Sequence, residues 1–386
     1  MDCHVPKIAA DSDLLDFQRG VVTIGYLPTD SRTLDEKKEE YMELHGSIAN
    51  VTTVADLCYR WDAEASNFRL KVIEKEDLPK INKERLRNGL SADDCSTIYE
   101  NARGRWHWEV YSKCFMEETV LSGAFERKDC RIVTYAGVME SVLQVNCPRS
   151  KLRCRIRKER FGDIDVIVIG AGKPWLKKHN EREITDGFQF QKPFYVPKVF
   201  TKFMTSEDHN SFVEGIDNDE HYFTYTKLSL GDVDLLVRNS VDGTYANPDN
   251  SSSERVQVWM TPLFAHSEKV KSYTNVRSAF LANVPYLILS GFRSEAFADC
   301  LKSGEAMEVQ PIMWNVEEMA KTDISLDKAL TLLRMFVNKV VEIFGDHPDC
   351  TEIYCSKSSD TTKRCPIKFE IFSDECADFN HNDVWL

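Results

Sequence analysis

Two carboxylates two residues apart, Asp232 and Asp234 in Ser229-Leu230-Gly231-Asp232-Val233-Asp234-Leu235-Leu236, have the spacing best suited to metal chemistry in this chain. Side chains alternate along an extended strand, so an i, i+2 pair projects from one face and can hold a divalent cation. The strand-like run 222–228 just before them supports that extended reading.

Metal-assisted cleavage of a phosphodiester asks for more. A further acid completes the metal shell and a lysine stabilises charge at phosphorus, commonly as an acid-apolar-Lys triplet on the next strand. The next strand-like run, 255–261, carries Val258-Trp259-Met260 where such a triplet would stand. The expectation is a scaffold that keeps part of a metal site and has lost the rest.

Arg149, Lys151, Arg153, Arg155 and Arg157 alternate with small or apolar residues, which predicts a strand with one cationic face. Such a face holds phosphates without reading sequence, making Lys151, Arg153, Arg155 and Arg157 the candidate RNA contacts. The competing reading is a solvated or ion-paired strand face. Gly170-Ala171-Gly172-Lys173 mimics a phosphate loop, but it lacks the GK[ST] ending and Pro174 follows, so it reads as a strand-to-turn junction. Cys350, Cys355, Cys365, Cys376, His347 and His381 crowd the C-terminus in spacings that fit no zinc finger. Trp106 and Trp108, around His107, are candidate base-stacking rings with a core role as the plainer alternative.

The chain bounds these readings. Its 386 residues, 42% hydrophobic, suffice for a large buried core. A net charge of −13 excludes indiscriminate attraction to nucleic acid or membrane, so any RNA contact must be local and DNA binding is not expected. Twelve cysteines without a CxxC pair, behind an N-terminus with no apolar signal core, predict reduced thiols inside the cell, in nucleus or cytoplasm. No apolar run approaches the ~18 residues of a membrane span.

The elements that would position the candidates follow from pattern. Residues 1–125 are charged and weakly patterned, with an acidic helix over 34–45, and read as a peripheral layer. Run 131–137 is a strand leading into a helix over 138–144, and 163–169 is another strand. The polar stretches 215–220 and 242–254 read as loops. Run 284–293 is a buried strand ending in a turn. The clearest helix spans 325–344: Leu326, Ala329, Leu330, Leu333, Val337, Val340 and Phe344 form one stripe, Ser325 can cap its start and Gly345 follows its end. Strands at 352–355 and 366–372 close the chain. The mixture predicts an α+β (mixed α/β) fold in one large domain, a central pair of mixed sheets flanked by helices.

From about 131 to 372 the chain resembles the decapping exoribonuclease (DXO) family. Ile132-Val133-Thr134-Tyr135-Ala136-Gly137 resembles the family's VTWRG, and Val284-Pro285 through Gly291-Phe292-Arg293 its VP…GFR strand. The resemblance implies removal of NAD or incomplete caps from RNA 5′ ends and onward 5′–3′ degradation with a divalent metal. Carried over position by position, the motif arginine is Ala136 and the GΦxΦE glutamate falls on Ser206, with Glu207 the nearest carboxylate. GEΦD is matched to Gly231-Asp232-Val233-Asp234, EΦK to Val258-Trp259-Met260, and a glutamine before the VP strand to Ser278. The resulting expectation is a catalytically impaired member that binds RNA 5′ ends or a protein partner, with no cofactor. The alternative is an active nuclease using Mg²⁺ or Mn²⁺ on Asp232, Asp234 and Glu207.

Overall fold

The computed structural model describes residues 21–62, 67–91, 93–94, 97, 132–143, 152–161, 164–171, 200–206, 220–246, 252–262, 277–292, 311–323, 325–357 and 366–372. Their strands form two mixed sheets, as the α+β reading expected.

Sheet A has ten strands in the order β1 (Val21–Leu27), β14 (Ile367–Phe372), β13 (Glu352–Lys357), β5 (Leu152–Phe161), β6 (Ile164–Ala171), β4 (Ile132–Tyr135), β8 (Val233–Ser240), β7 (Glu220–Leu230), β2 (Asn50–Asp62) and β3 (Asn67–Ile73). Its centre is parallel where β4 meets β6 and β8, and its flanks are antiparallel. Sheet B has four strands, β12 (Ile312–Asn315), β11 (Tyr286–Phe292), β10 (Ser253–Pro262) and β9 (Gly243–Ala246).

Two sequence expectations change here. The peripheral N-terminal part is built into sheet A: β1 forms one edge, β3 the other, and β2 lies between β3 and β7. Hydrophobic alternation is weak on edge strands because much of each side meets solvent; Val22, Tyr26 and Val72 are exposed. The stretch 242–254 also contains a strand, β9, which pairs with β10 and bridges Lys80 on its other side.

One face of sheet A carries the helices. Leu228, Leu230, Leu235 and Val237 point toward α3 (Ala136–Leu143) and α5 (Leu326–Asp346), in a core that also takes in Leu34 and Tyr41 of α1 (Ser31–His45). The α5 stripe read from the sequence is buried throughout. Ser325 holds the N-cap position, but its hydroxyl bonds no helix N–H group: it donates to Asp323 (2.8 Å) and accepts from Arg277 (2.5 Å). Gly345 lies within the last turn of the helix rather than after it.

Sheet B is tied to sheet A by polar contacts. Arg255 Nε lies 3.0 Å from each carboxylate oxygen of Asp56, and Gln257 Nε2 donates to the Ser240 carbonyl at 2.7 Å. A second core of Ala279, Ala282, Val284, Leu287 and Val316, with Trp259 and Trp314 against it, joins sheet B to helical residues 277–281 and to α4 (Val316–Thr322). Among the described residues no helix is long and apolar enough to cross a membrane.

Candidate functional site

Asp232 and Asp234 do not form a pair on one strand. Leu230 is registered with Val233, so Gly231 and Asp232 are the two loop residues of a tight β7–β8 hairpin. Gly231 has φ +71° while Asp232 keeps a negative φ, the pattern of a II′ turn with glycine first. A Cβ on Gly231 would stand 2.6 Å from Cζ of Arg334, so a side chain there would have to displace that guanidinium. Asp232 is exposed at the tip. Asp234 lies in β8 with its carboxylate 2.6 Å from Lys227 Nζ. The Gly-Asp-Val-Asp sequence thus has a structural account in the hairpin itself.

Register also puts Asp234 on the wrong face. Asp234, Leu236 and Arg238 point with Ser229, Lys227 and Tyr225, away from the helix-bearing face on which α3 packs. The expectation that β8 and the Val258 strand are neighbours is corrected too: β8 lies between β4 and β7 in sheet A, and β10 lies in sheet B.

The carboxylate that does meet Val258 is Asp242. After β8 the chain crosses into sheet B through Val241 and Asp242, whose N–H groups donate to the carbonyls of Tyr222 and Val256 (both 3.1 Å). The β9 ladder ends at Gly243 opposite Val256, leaving the next stretch of the β10 edge without a strand partner on that side. Asp242 Oδ2 accepts from Val258 N at 2.7 Å, and Thr201 Oγ1 donates to the Val258 carbonyl at 3.4 Å. Side chains therefore satisfy backbone groups that a longer β9 would have paired. Six residues separate Asp234 from Ser240 along β8, roughly 20 Å at ~3.3 Å each, so a cation could not bridge Asp234 and the Asp242–Val258 corner.

One signal for Asp242 was present in the sequence. The Val-Asp dipeptide occurs twice, at 233–234 and 241–242, and Ser240-Val241-Asp242 repeats the spacing of Asp232-Val233-Asp234 with serine for the first acid.

The helical residues 200–205 reach this corner as well. Thr201 touches Val258, and the Met204 and Ser206 carbonyls accept from Asn82 N (2.8 Å) and Asn82 Nδ2 (3.2 Å). The Ser206 hydroxyl donates to the Lys202 carbonyl at 2.6 Å. Val258 and Met260 are 5% and 3% exposed, on the β10 face opposite Gln257 and Trp259. Glu207 lies outside the described residues. Among those described, Asp242 is the carboxylate at this corner, and no three His, Cys, Asp or Glu side chains cluster closely enough to hold a metal. One described carboxylate leaves most of a divalent cation's oxygen shell to water, substrate or residues outside those described.

Ser278 reaches α3 through Glu140. Ala136 opens α3, and Glu140 one turn later takes a hydrogen bond from Ser278 in the 277–281 turn. Burial pushes the Glu140 carboxyl up to about 7, and the Ser278 contact only partly offsets this. Sequence reading missed Glu140 because nothing in the spacing of α3 marks it.

The cationic strand face is paired internally. Arg155 Nε and Nη2 contact the two carboxylate oxygens of Glu352 at 2.6 and 2.5 Å, and Arg157 pairs with Glu159. Lys158 Nζ donates to the Pro348 carbonyl at 2.8 Å. Arg155 and Arg157 are thus ion-paired, as the competing reading of β5 expected. Lys151 and the Arg153 side chain lie outside the described residues, as do Trp106, His107, Trp108, Cys365, Cys376 and His381. Cys355 is buried and registered directly opposite Cys154, with burial raising its thiol pKa, which is a core position. Gly170 and Ala171 belong to β6.

Neither a protein-family model nor any curated protein sequence matches the chain. Solved structures do. Rai1 of Candida albicans in complex with pU5-Mn²⁺ aligns at TM-score 0.56 and 12% identity, over 86% of this chain and 93% of that one. Rai1 of Scheffersomyces stipitis in complex with (3′-NADP)⁺ and calcium ion aligns at 0.59 and 10%, over 92% of each chain. S. pombe Rai1 in complex with 3′-FADP aligns at 0.57 and 13%, over 86% of this chain and 98% of that one. The fold is therefore the Rai1 fold across nearly the whole chain.

Proposed function

We propose that this chain is a divergent, one-domain member of the decapping exoribonuclease family that no longer turns over RNA and acts as an RNA 5′-end-binding module. The carrying observation is the Asp242–Val258 corner. Val258 and Met260, the residues matched to the family's acid and lysine, are apolar and buried, and the neighbouring carboxylate is engaged by a backbone N–H. Loss of a metal ligand and of the charge-stabilising lysine each ordinarily removes orders of magnitude of rate. The solved Rai1 structures with pU5, 3′-NADP⁺ and 3′-FADP support an RNA-end or nucleotide ligand for this fold.

The alternative, an active Mg²⁺ or Mn²⁺ nuclease using Asp232, Asp234 and Glu207, is weakened by the Lys227–Asp234 ion pair and the hairpin placement of Asp232. A protein-interaction role without RNA is the second reading if RNA binding fails.

The purified protein should be incubated with Mn²⁺ and NAD-capped, unmethylated-capped and 5′-monophosphate RNA, with binding measured in parallel. Binding without product above a no-enzyme control is expected. Metal-dependent turnover lost in Asp242→Ala or Asp234→Ala would overturn the proposal.

A further inference from the structure

A separate pair of cations lies where no described carboxylate pairs with them. In α2 (Lys83–Asn88), Lys83 and Arg87 are four residues apart and share a face with Leu86 between them. Together with Tyr245 of β9 they line a cavity of about 320 Å³. Lys83 Nζ stands 5.6 Å from the Tyr245 ring centroid, and the Tyr286 ring meets Tyr245 edge-on at 6.0 Å.

The walls are fixed by backbone. Thr244 N donates to the Pro79 carbonyl (2.7 Å) and Ile81 N to the Thr244 carbonyl (2.9 Å), so the segment entering α2 is laid beside β9. Gly243 permits that approach, since a Cβ there would collide with the Pro79 carbonyl. Asn82 caps α2 and donates to the Met204 carbonyl, and Arg85 donates to the Phe203 carbonyl while covering that ring. The Arg85 anchor turns Lys83 and Arg87 toward the cavity.

Electrostatics says what belongs there. Among the described residues no carboxylate lies within ion-pair distance of Lys83 or Arg87. Glu254, the cross-strand neighbour of Tyr245, accepts instead from Ser252 at 2.7 Å. Two like charges at i, i+4 repel, and a chain of net charge −13 has carboxylates enough to neutralise them elsewhere. A basic pair with no described acid partner, beside an aromatic face and over a cavity of nucleotide size, matches the pairing of phosphate contacts with base stacking used on single strands.

We propose that this pocket holds one nucleotide unit of single-stranded RNA, its base on Tyr245 and its phosphates on Lys83 and Arg87. This deepens the RNA-binding reading and rests on it, moving the phosphate contacts from β5 to α2. The lysine stem is flexible enough to swing from the ring to a phosphate as the base enters.

The test is fluorescence anisotropy of the full chain with a 5′-monophosphate U-rich oligoribonucleotide between 50 and 200 mM salt. Lys83→Glu/Arg87→Glu should weaken binding at least ten-fold, and Lys83→Ala/Arg87→Ala should lower the salt slope by about 1.4, roughly 0.7 per phosphate on a single strand. Tyr245→Ala should cost roughly ten-fold and Tyr245→Trp should retain binding, since stacking needs only a ring. Arg155→Ala serves as the neutral comparison, and circular dichroism checks each fold. RNA binding unaffected in the α2 variants would overturn the pocket while leaving the RNA-end reading standing. No binding by the unmodified protein at 50 mM salt would overturn both. Equal competition by a polyglutamate peptide, with Tyr245→Ala neutral, would overturn base recognition and assign the pocket to an acidic protein.

Discussion

Asp242 Oδ2 accepts a 2.7 Å hydrogen bond from the backbone N–H of Val258, joining the exit of β8 to the open edge of β10. This contact closes the ladder that β9 leaves unfinished, and it occupies the carboxylate nearest Val258 and Met260. Asp242→Ala should destabilise the fold by about 1–3 kcal/mol, because a part-buried donor loses its acceptor. Asp242→Asn keeps a carbonyl acceptor and should cost less. Urea unfolding of the two variants checks this; equal losses would show that charge rather than edge closure is what matters.

Gly231→Ala tests the hairpin account of the Gly-Asp-Val-Asp sequence. Alanine at φ +71° is strained, and its methyl displaces the Arg334 guanidinium, which is 3% exposed and stacked 3.8 Å from the Tyr41 ring centroid. The loss should be about 2 kcal/mol or more. In an Arg334→Met background the steric part should shrink and leave mainly the backbone part, measured as the coupling in a double-mutant cycle.

Asp234→Ala should leave Mn²⁺ affinity unchanged in calorimetry and cost no more than about 1 kcal/mol, the scale of a partly exposed ion pair. Metal binding that disappears in this variant would restore the alternative metal site.

Glu140 sets a pH dependence. Its folded pKa, raised from 4.5 to about 7 by burial, means the folded state holds a proton that the unfolded state has released. The protonated form contributes stability fully below pH 4.5, and that stability is lost as pH rises toward 7, in total up to roughly 3 kcal/mol. Glu140→Gln removes the titration and keeps an acceptor for Ser278. It should be more stable than the parent at pH 8, by about 2 kcal/mol, and indistinguishable near pH 4, as read from unfolding curves at both pH values.

Arg155→Ala should lower stability by about 1–2 kcal/mol, since it strands a partly buried Glu352, and should leave RNA affinity within about two-fold. A large loss of affinity would return the phosphate contacts to β5.

The sequence by itself determined the elements whose pattern is local. The α5 stripe, the β4-to-α3 transition and the strands at β6, β7, β10, β11, β13 and β14 are legible because burial of one face leaves a period of 3.6 or 2 in the residues. It also determined the resemblance that the Rai1 fold bears out, carried by short runs at 132–137 and 284–293.

Only the tertiary structure decided which residues meet. Gly-Asp-Val-Asp has the spacing of a metal pair, but a II′ turn takes Gly231 and Asp232 out of the strand, and Lys227 claims Asp234. Asp242 sits at the Val258 corner because the chain crosses from one sheet to the other there, an event with no periodicity to announce it. Arg155 looks free in sequence because its partner Glu352, 197 positions away, is supplied by the neighbouring strand. The pairing of α2 with Tyr245 likewise depends on backbone hydrogen bonds between residues 79–82 and Thr244. Spacing reports which face a side chain occupies, whereas partners across sheets and ladders are set by register and crossover, which the chain expresses only when folded.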